Sequence, residues 1–322
     1  VAQHHLAAAL ASLRGAGFEP SSVEVPDGEA HKTPETWLAL LRALAHRGAD
    51  RATPLVALGG GVTGDLVGFA GATWQRGVPV VQVPTTLLAM VDASVGGKTA
   101  VDLPLDNGLH GRNLVGAYHH PALVFVARDV LGTLPEVELR CGMAEIIKAA
   151  VIGDEALFCE LERAGPKLLQ PPFPGLDAVL RASIRLKSRV VAGDEHDHGA
   201  RALLNLGHTV GHAVEGAAGG TLRHGLCVAM GMRAELRFSV AQGWTPPAVA
   251  DRLEALLVRW GLPLAAPPLP EPALRAAILS DKKRARGKLR AVAVERIGRS
   301  RVVSIELPRV FEMLRFLLSS AE

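Results

Sequence analysis

The chain has 322 residues, 48% of them hydrophobic and 21% charged, the composition of a folded globular protein large enough for two domains. A net charge of +3 leaves no footprint of nucleic-acid or membrane binding, and 4% aromatics supplies too few rings for a stacking-based single-strand binder. Three scattered cysteines argue against a disulfide framework or a thiolate zinc site. With no secretory signal and no apolar run near the roughly 18–20 residues of a membrane helix, a cytoplasmic protein is expected.

The chain opens on a helix-like stretch, His5–Leu13, and a strand upstream of Val1 is expected. Ser22–Val25 reads as a short strand, Pro34–His46 as a helix and Thr53–Leu58 as a buried strand. A glycine turn follows, then a helix to about Trp74, then strands at Val78–Val83 and Ala122–Val126. This alternation predicts an α/β, Rossmann-like N-terminal domain over residues 1–130. Beyond it, Glu136–Ile152, Asp154–Arg163, Leu176–Val191, Ala202–Ala217, Gly225–Gln242 and Pro247–Trp260 fit helical spacing. Only Ala291–Glu295 and Arg301–Ile305 read as extended, as a hairpin around Ile297–Ser300. Residues 131–322 are therefore expected to form a mostly α-helical second domain.

Three segments carry chemistry-bearing residues. GGGVTGD (Gly59–Asp65) follows a buried strand, and Gly59, Gly61 and Gly64 keep the G-x-G-x-x-G spacing that lets backbone amides approach a pyrophosphate. The acid usually found about 20 residues later is absent, so alone the pattern also fits a plain tight turn. GGKT (Gly96–Thr99) invites a P-loop reading, which fails because Asp92 stands where the first glycine belongs. What remains is a turn presenting Lys98 near Asp92, Thr85 and Thr86. NLGHTVGH (Asn205–His212) places His208 and His212 at i and i+4 on one helix face. His224 heads a further helix and Glu145 sits in GMAEIIK. Three imidazoles and a carboxylate from three helices suit zinc, but spacing alone leaves open which three are ligands. Lys98, Arg112, Lys148, Lys187, Arg201, Lys282 and Lys283 cluster about these segments, as an acidic, phosphorylated ligand requires.

VPDGEAHK, GGGVTGD, QRGVPVVQVPTTLLAMVDASVGGKTAVD, GMAEIIK, RALLNLGHTVGHAVE, HGLCVAMGM and DKK stand in the order seen in 3-dehydroquinate synthases. The chain resembles that family from about residue 25 to beyond Lys283. The resemblance implies an NAD- and zinc- or cobalt-dependent homodimer in the shikimate pathway. Its reaction converts 3-deoxy-D-arabino-heptulosonate 7-phosphate to 3-dehydroquinate and phosphate by transient oxidation, β-elimination and intramolecular aldol closure. It further implies Glu145, His208 and His224 as metal ligands and His212, Asp197, Lys148 and Lys98 as catalytic residues. NAD contacts fall on Glu29, Lys32, Gly60, Gly61, Val62, Gly64, Asp65, Thr85, Thr86, Asp92, Lys98, Arg112 and Thr133. Substrate contacts fall on Asp92, Lys98, Asn113, Lys148, Lys187, Arg201, Asn205, Lys282 and Lys283, with Arg76 reaching into the neighbouring subunit.

The sequence departs from that pattern in places. Asp197, in DEHD, stands where the family carries glutamate, and Arg112, in GRN, where it carries lysine. Leu105–His110 reads as longer than the family's segment. Two other classes share the plan: sugar phosphate cyclases of the valiolone or inosose type, and metal-dependent polyol dehydrogenases. A dehydrogenase would release NADH, whereas a cyclase returns the hydride within one turnover.

Overall fold

The structure, a computed structural model, describes residues 1–104, 110–282 and 288–318. It divides into two compact units, Val1–Pro135 and Glu136–Glu322.

The first unit opens with α1 (Ala2–Gly15) and α2 (Pro34–His46). Helix α2 is set by Thr33, whose hydroxyl accepts from the Thr36 amide, and by Pro34 in the first turn. Then come β1 (Leu55–Gly59), α3 (Gly61–Thr73) and β2 (Val80–Pro84). They are followed by β3 (Lys98–Pro104), β4 (His110–Tyr118) and β5 (Leu123–Val124). Strands β1, β2 and β5 make a parallel sheet in the order β1-β2-β5, and β3 and β4 pair as an antiparallel hairpin. Leu40, Leu66, Phe69 and Val101 form one core, with Trp37 stacked on Phe69 at 5.1 Å. Leu55, Ala70, Val78 and Val80 form a second.

Two readings of this unit are corrected. Ser22–Val25 is not a strand: the segment joins no ladder, Val23 is exposed, and the Ser22 carbonyl is satisfied by Arg47. The β3–β4 hairpin was not anticipated, because β3 is buried from Thr99 to Asp102 and so lacks the alternation that marks a half-buried strand. Residues 105–109, most of the segment read as longer, lie outside the described residues.

The second unit is built on α4 (Glu136–Gly153), buried continuously from Cys141 to Ile152, with Glu145 and Lys148 among the buried residues. Around it lie α5 (Glu155–Ala164), α6 (Leu176–Gly193), α7 (His208–Ala217), α8 (His224–Ala241), α9 (Pro247–Arg259) and α10 (Glu271–Lys282). The hairpin of β6 (Lys288–Arg296) and β7 (Arg299–Glu306) follows, then α11 (Leu307–Val310) and α12 (Met313–Leu318). Val210, Val214, Met230, Phe238, Leu274, Ile305 and Leu314 belong to its core. The helix expected over Ala202–Ala217 is broken: a 3₁₀ turn at Ala200–Asn205 ends before Gly207, whose φ of +81° interrupts helical geometry, and α7 starts at His208. Among the described residues, no helix is long and apolar enough to cross a membrane.

Candidate metal and dinucleotide sites

Helices α4, α7 and α8 bring together the residues singled out for metal binding. Glu145 lies in the buried middle of α4, His208 and His212 one turn apart on α7, and His224 in the first turn of α8. The approach of α8 to α4 depends on Gly225, where a Cβ would overlap the Cys141 backbone one turn before Glu145. Donor atoms of the three histidines lie within 4.8 Å of one another. His208 Nε2 and His224 Nε2 each stand 3.7 Å from Glu145 Oε1. Tetrahedral donors about 2.1 Å from a metal lie roughly 3.4 Å apart, so these separations are close to those of a ligand set.

Each of these two imidazoles is oriented from behind. His208 Nδ1 faces the Leu206 carbonyl at 3.3 Å, and His224 Nδ1 faces Glu215 Oε2 at 3.2 Å, which leaves both Nε2 atoms aimed at Glu145. Among the described residues, none donates a hydrogen bond of sound geometry to either Glu145 oxygen, although Lys148 Nζ lies against Oε2 as an ion pair. A buried carboxylate in that condition is costly unless a cation completes its shell. Burial pushes the Glu145 carboxyl up, but Lys148, His208 and His224 outweigh it and hold it well below the usual range. Burial, reinforced by Lys148, lowers His208. For His224 burial is overcome by Glu145 and Glu215, which raise it to about 9. The carboxylate is therefore ionised and the donor set fits a divalent metal such as zinc.

Lys148, Lys187 and Arg201, all expected to contact substrate, are buried in the same unit, on α4, α6 and the 3₁₀ turn. Asn205 is exposed at the end of that turn, and Lys282 is the last residue of α10. Lys283 lies outside the described residues. The loop between α6 and the 3₁₀ turn is held by Asp194, whose carboxylate accepts from the amides of His198 at 2.8 Å, Gly199 at 2.7 Å and Arg201 at 2.9 Å. Asp197, with φ +60°, sits inside this loop, and Arg290 Nη2 donates to its carbonyl at 3.0 Å.

In the first unit, β1 ends at Gly59 and α3 begins at Gly61, so the GGGVTGD amides stand at a helix N-terminus. A Cβ on Gly60 would come within 3.1 Å of Thr86, and one on Gly61 within 3.3 Å of Ala93. Thr85 donates its amide to the Gly59 carbonyl at 2.8 Å, and its buried hydroxyl has no hydrogen-bond partner among the described residues. An open glycine cradle beside an orphaned hydroxyl fits a nucleotide's phosphates.

Glu29, Lys32, Asp65, Arg112 and Asn113, expected from distant stretches of sequence, form one network. Lys32 Nζ lies 2.5 Å from Asp65 Oδ2 and donates to Asn113 Oδ1 at 2.5 Å; Glu29 Oε1 is 3.7 Å from Arg112 and 3.9 Å from Lys32. Burial raises the Asp65 carboxyl to about 6 against the pull of Lys32, and Lys32 is itself held up by Asp65 and Glu29 although burial opposes it. Asp92 and Lys98 flank the Gly96–Gly97 turn, Thr133 is exposed and hydrogen-bonded to His5, and Arg76 is exposed with φ +68°.

Four contributors escaped the sequence reading: Asp102, Glu215, Asp194 and Glu235. Asp102 is buried, accepts the Asn113 amide at 2.7 Å and donates its own amide to the Lys32 carbonyl. Asp102 ends the GGKTAVD block, Glu215 ends GHAVE and Asp194 opens DEHD, but nothing in those blocks singles them out, and Glu235 lies in none of them. Only burial of a carboxylate marks Asp102, Glu215 and Glu235, and burial is visible only in the fold.

Comparison with known proteins gives the arrangement a context. A solved 2-epi-5-epi-valiolone synthase from Streptomyces hygroscopicus, with NAD+ and Zn2+ bound, superposes with a TM-score of 0.87 at 30% identity, covering 98% of this chain and 88% of that one. A 2-deoxy-scyllo-inosose synthase complexed with carbaglucose-6-phosphate, NAD+ and Co2+ gives 0.86 at 26% identity, covering 97% and 87%. A probable glycerol dehydrogenase from Sinorhizobium meliloti, at 14% identity and TM-score 0.63, shares the fold alone. Fold and site together define a protein of the sugar phosphate cyclase class.

Models of the 3-dehydroquinate synthase N-terminal and C-terminal regions match residues 22–141 and 142–284. The 3-dehydroquinate synthases of Pelobacter propionicus and Gloeobacter violaceus are 44% and 45% identical. These alignments cover 95% and 99% of this chain and 84% and 87% of those proteins. The chain belongs to the 3-dehydroquinate synthase family.

Proposed function

We propose that the chain converts 3-deoxy-D-arabino-heptulosonate 7-phosphate to 3-dehydroquinate and phosphate, with NAD and zinc or cobalt as cofactors. The observation that carries this reading is the convergence of His208 Nε2 and His224 Nε2 on the buried, incompletely satisfied Glu145 carboxylate, in a chain of this family. Glu145, His208 and His224 would hold the metal, and the Gly60–Asp65 cradle with Thr85, Thr86 and the Glu29–Lys32 network would hold the dinucleotide. When bound, the two cofactors supply a reversible hydride acceptor and a Lewis acid for the substrate's oxygens.

The chain's own residues then bind and move protons. Lys148, Lys187 and Arg201 are buried cations suited to a substrate bearing carboxylate and phosphate, supplying position and electrostatics. His212, T-shaped against His208 at 5.2 Å, would exchange a proton near the metal. Asp197 offers a second proton acceptor on the Asp194-stapled loop. Asn113 is oriented by Lys32 and Asp102. A homodimer in which Arg76 serves the neighbouring site completes the proposal.

The test is phosphate release from the heptulosonate phosphate, with NADH monitored in the same cuvette. Phosphate release that requires NAD while NADH does not accumulate is expected. Stoichiometric NADH would move the protein to the dehydrogenases, and turnover only with a sugar phosphate lacking the carboxylate would move it to the other cyclases.

A further inference from the structure

Helix α7 carries two of the clustered histidines yet has no cap of its own: His208 is its first residue and the preceding Gly207 has no side chain. The cap comes from α8. Glu235, buried, accepts the Gly207 amide at 2.9 Å through Oε2 and the Val210 amide at 3.0 Å through Oε1. One remote carboxylate thus does both halves of a capping box, taking the N–H of the cap residue and of the third helical residue. It also sets a negative charge at the positive end of the helix.

The same two helices lock at this point. A Cβ on Gly231 would overlap the Gly207 carbonyl, and one on Gly207 would meet Met232 Cγ at 2.6 Å and the Val228 carbonyl at 2.7 Å. Glu235 lies on the helix that His224 begins and grips the turn that His208 begins. The relative placement of His208 Nε2 and His224 Nε2 about Glu145 therefore runs through it.

We propose that Glu235 is a positioning residue for the metal cluster, holding the first turn of α7 so that His208 meets His224 and Glu145 at one point. This rests on the reading of those three as metal ligands. Replacing Glu235 with glutamine puts an NH₂ group opposite a backbone N–H, so one cap bond is lost and the helix end loses its counter-charge.

The experiment titrates Co2+ into chelator-treated full-length protein and reads the visible absorption band and, by competition, the dissociation constant. Wild type, Glu235→Gln, Glu235→Asp and Ser239→Ala are compared, the last removing from the same helix a buried hydroxyl that pairs with Thr245 in the turn beyond it. Glu235→Gln is expected to shift the cobalt band and weaken affinity by roughly 10- to 100-fold, the usual effect of losing a group that orients a ligand. Glu235→Asp, which keeps the charge but is shorter, should fall between, and it carries the test if the glutamine variant does not fold. Ser239→Ala should lower Tm and leave the band unchanged. A wild-type band and affinity in the Glu235 variants, or an equal band shift in Ser239→Ala, would overturn the proposal. A wild-type protein that binds no Co2+ would instead overturn the metal reading beneath it.

Discussion

At the scale of single residues, the sharpest consequence concerns Glu145. Its carboxylate has Lys148 on one oxygen and two imidazole nitrogens facing the other, so charge as well as shape would hold the proposed metal. Glu145→Gln keeps the shape and removes the charge. Metal content after dialysis should collapse, with affinity falling by more than the roughly 100-fold ceiling for residues that only orient a ligand. Retention of a full equivalent would contradict the assignment. Asp197 makes a different kind of prediction. By the family resemblance it stands one methylene short of a glutamate, and its loop is held by Asp194 and Arg290, which are not among the proposed metal ligands. Asp197→Asn should lower turnover on the order of 10²-fold while leaving metal content and NAD affinity near wild type. Wild-type turnover would leave proton transfer to His212.

At the scale of elements, two devices shape the second unit. The first is glycine-mediated contact between α7 and α8. Gly231→Ala forces a methyl into the Gly207 carbonyl, backbone that cannot swing aside. The expected cost is about 3 kcal/mol, read as a fall in Tm of roughly 6–12 °C or as failure to fold. The second is the Asp194 staple. Hydrogen bonds from the amides of Arg201, then Gly199 and His198, hold the Asp194 carboxyl at about 2, below its ordinary 3.8. A depressed carboxyl stabilises the fold above its unfolded value and loses that contribution as pH falls through the folded one. The wild-type advantage over Asp194→Asn in urea midpoint should therefore be flat above pH about 4 and shrink below it. An advantage that instead vanished between pH 5 and 7 would point to another group. These elements differed in how far the sequence disclosed them. Helices α2, α4, α6, α8 and α9 follow the 3.6-residue spacing of their apolar residues, whereas α7 read as continuous with the turn before it. Its break at Gly207 comes from the close approach of α8, which no local pattern encodes.

At the scale of the whole molecule, the proposed dimer makes the partner's Arg76 part of each site. Arg76→Ala and Lys148→Ala proteins should each be weakly active. Mixed under verified subunit exchange, they should regain up to about a quarter of wild-type activity, since a random mixture makes half hybrids, each with one intact site. No recovery would argue against sharing.

What the sequence determined by itself was the order of the motifs, the helical nature of the second unit, and the candidate residues of the metal and dinucleotide sites. Those are local properties: a periodicity, a glycine spacing, a pair of histidines four residues apart. Only the tertiary structure decided that Glu145 is buried with one oxygen facing two imidazoles, that Lys32, Asp65, Asn113 and Asp102 form one network, and that Glu235 caps the histidine helix. Each of these joins residues far apart in the chain. The physical reason is that a carboxylate's role depends on what burial denies it and which N–H groups packing brings within reach, and both follow from contacts between helices.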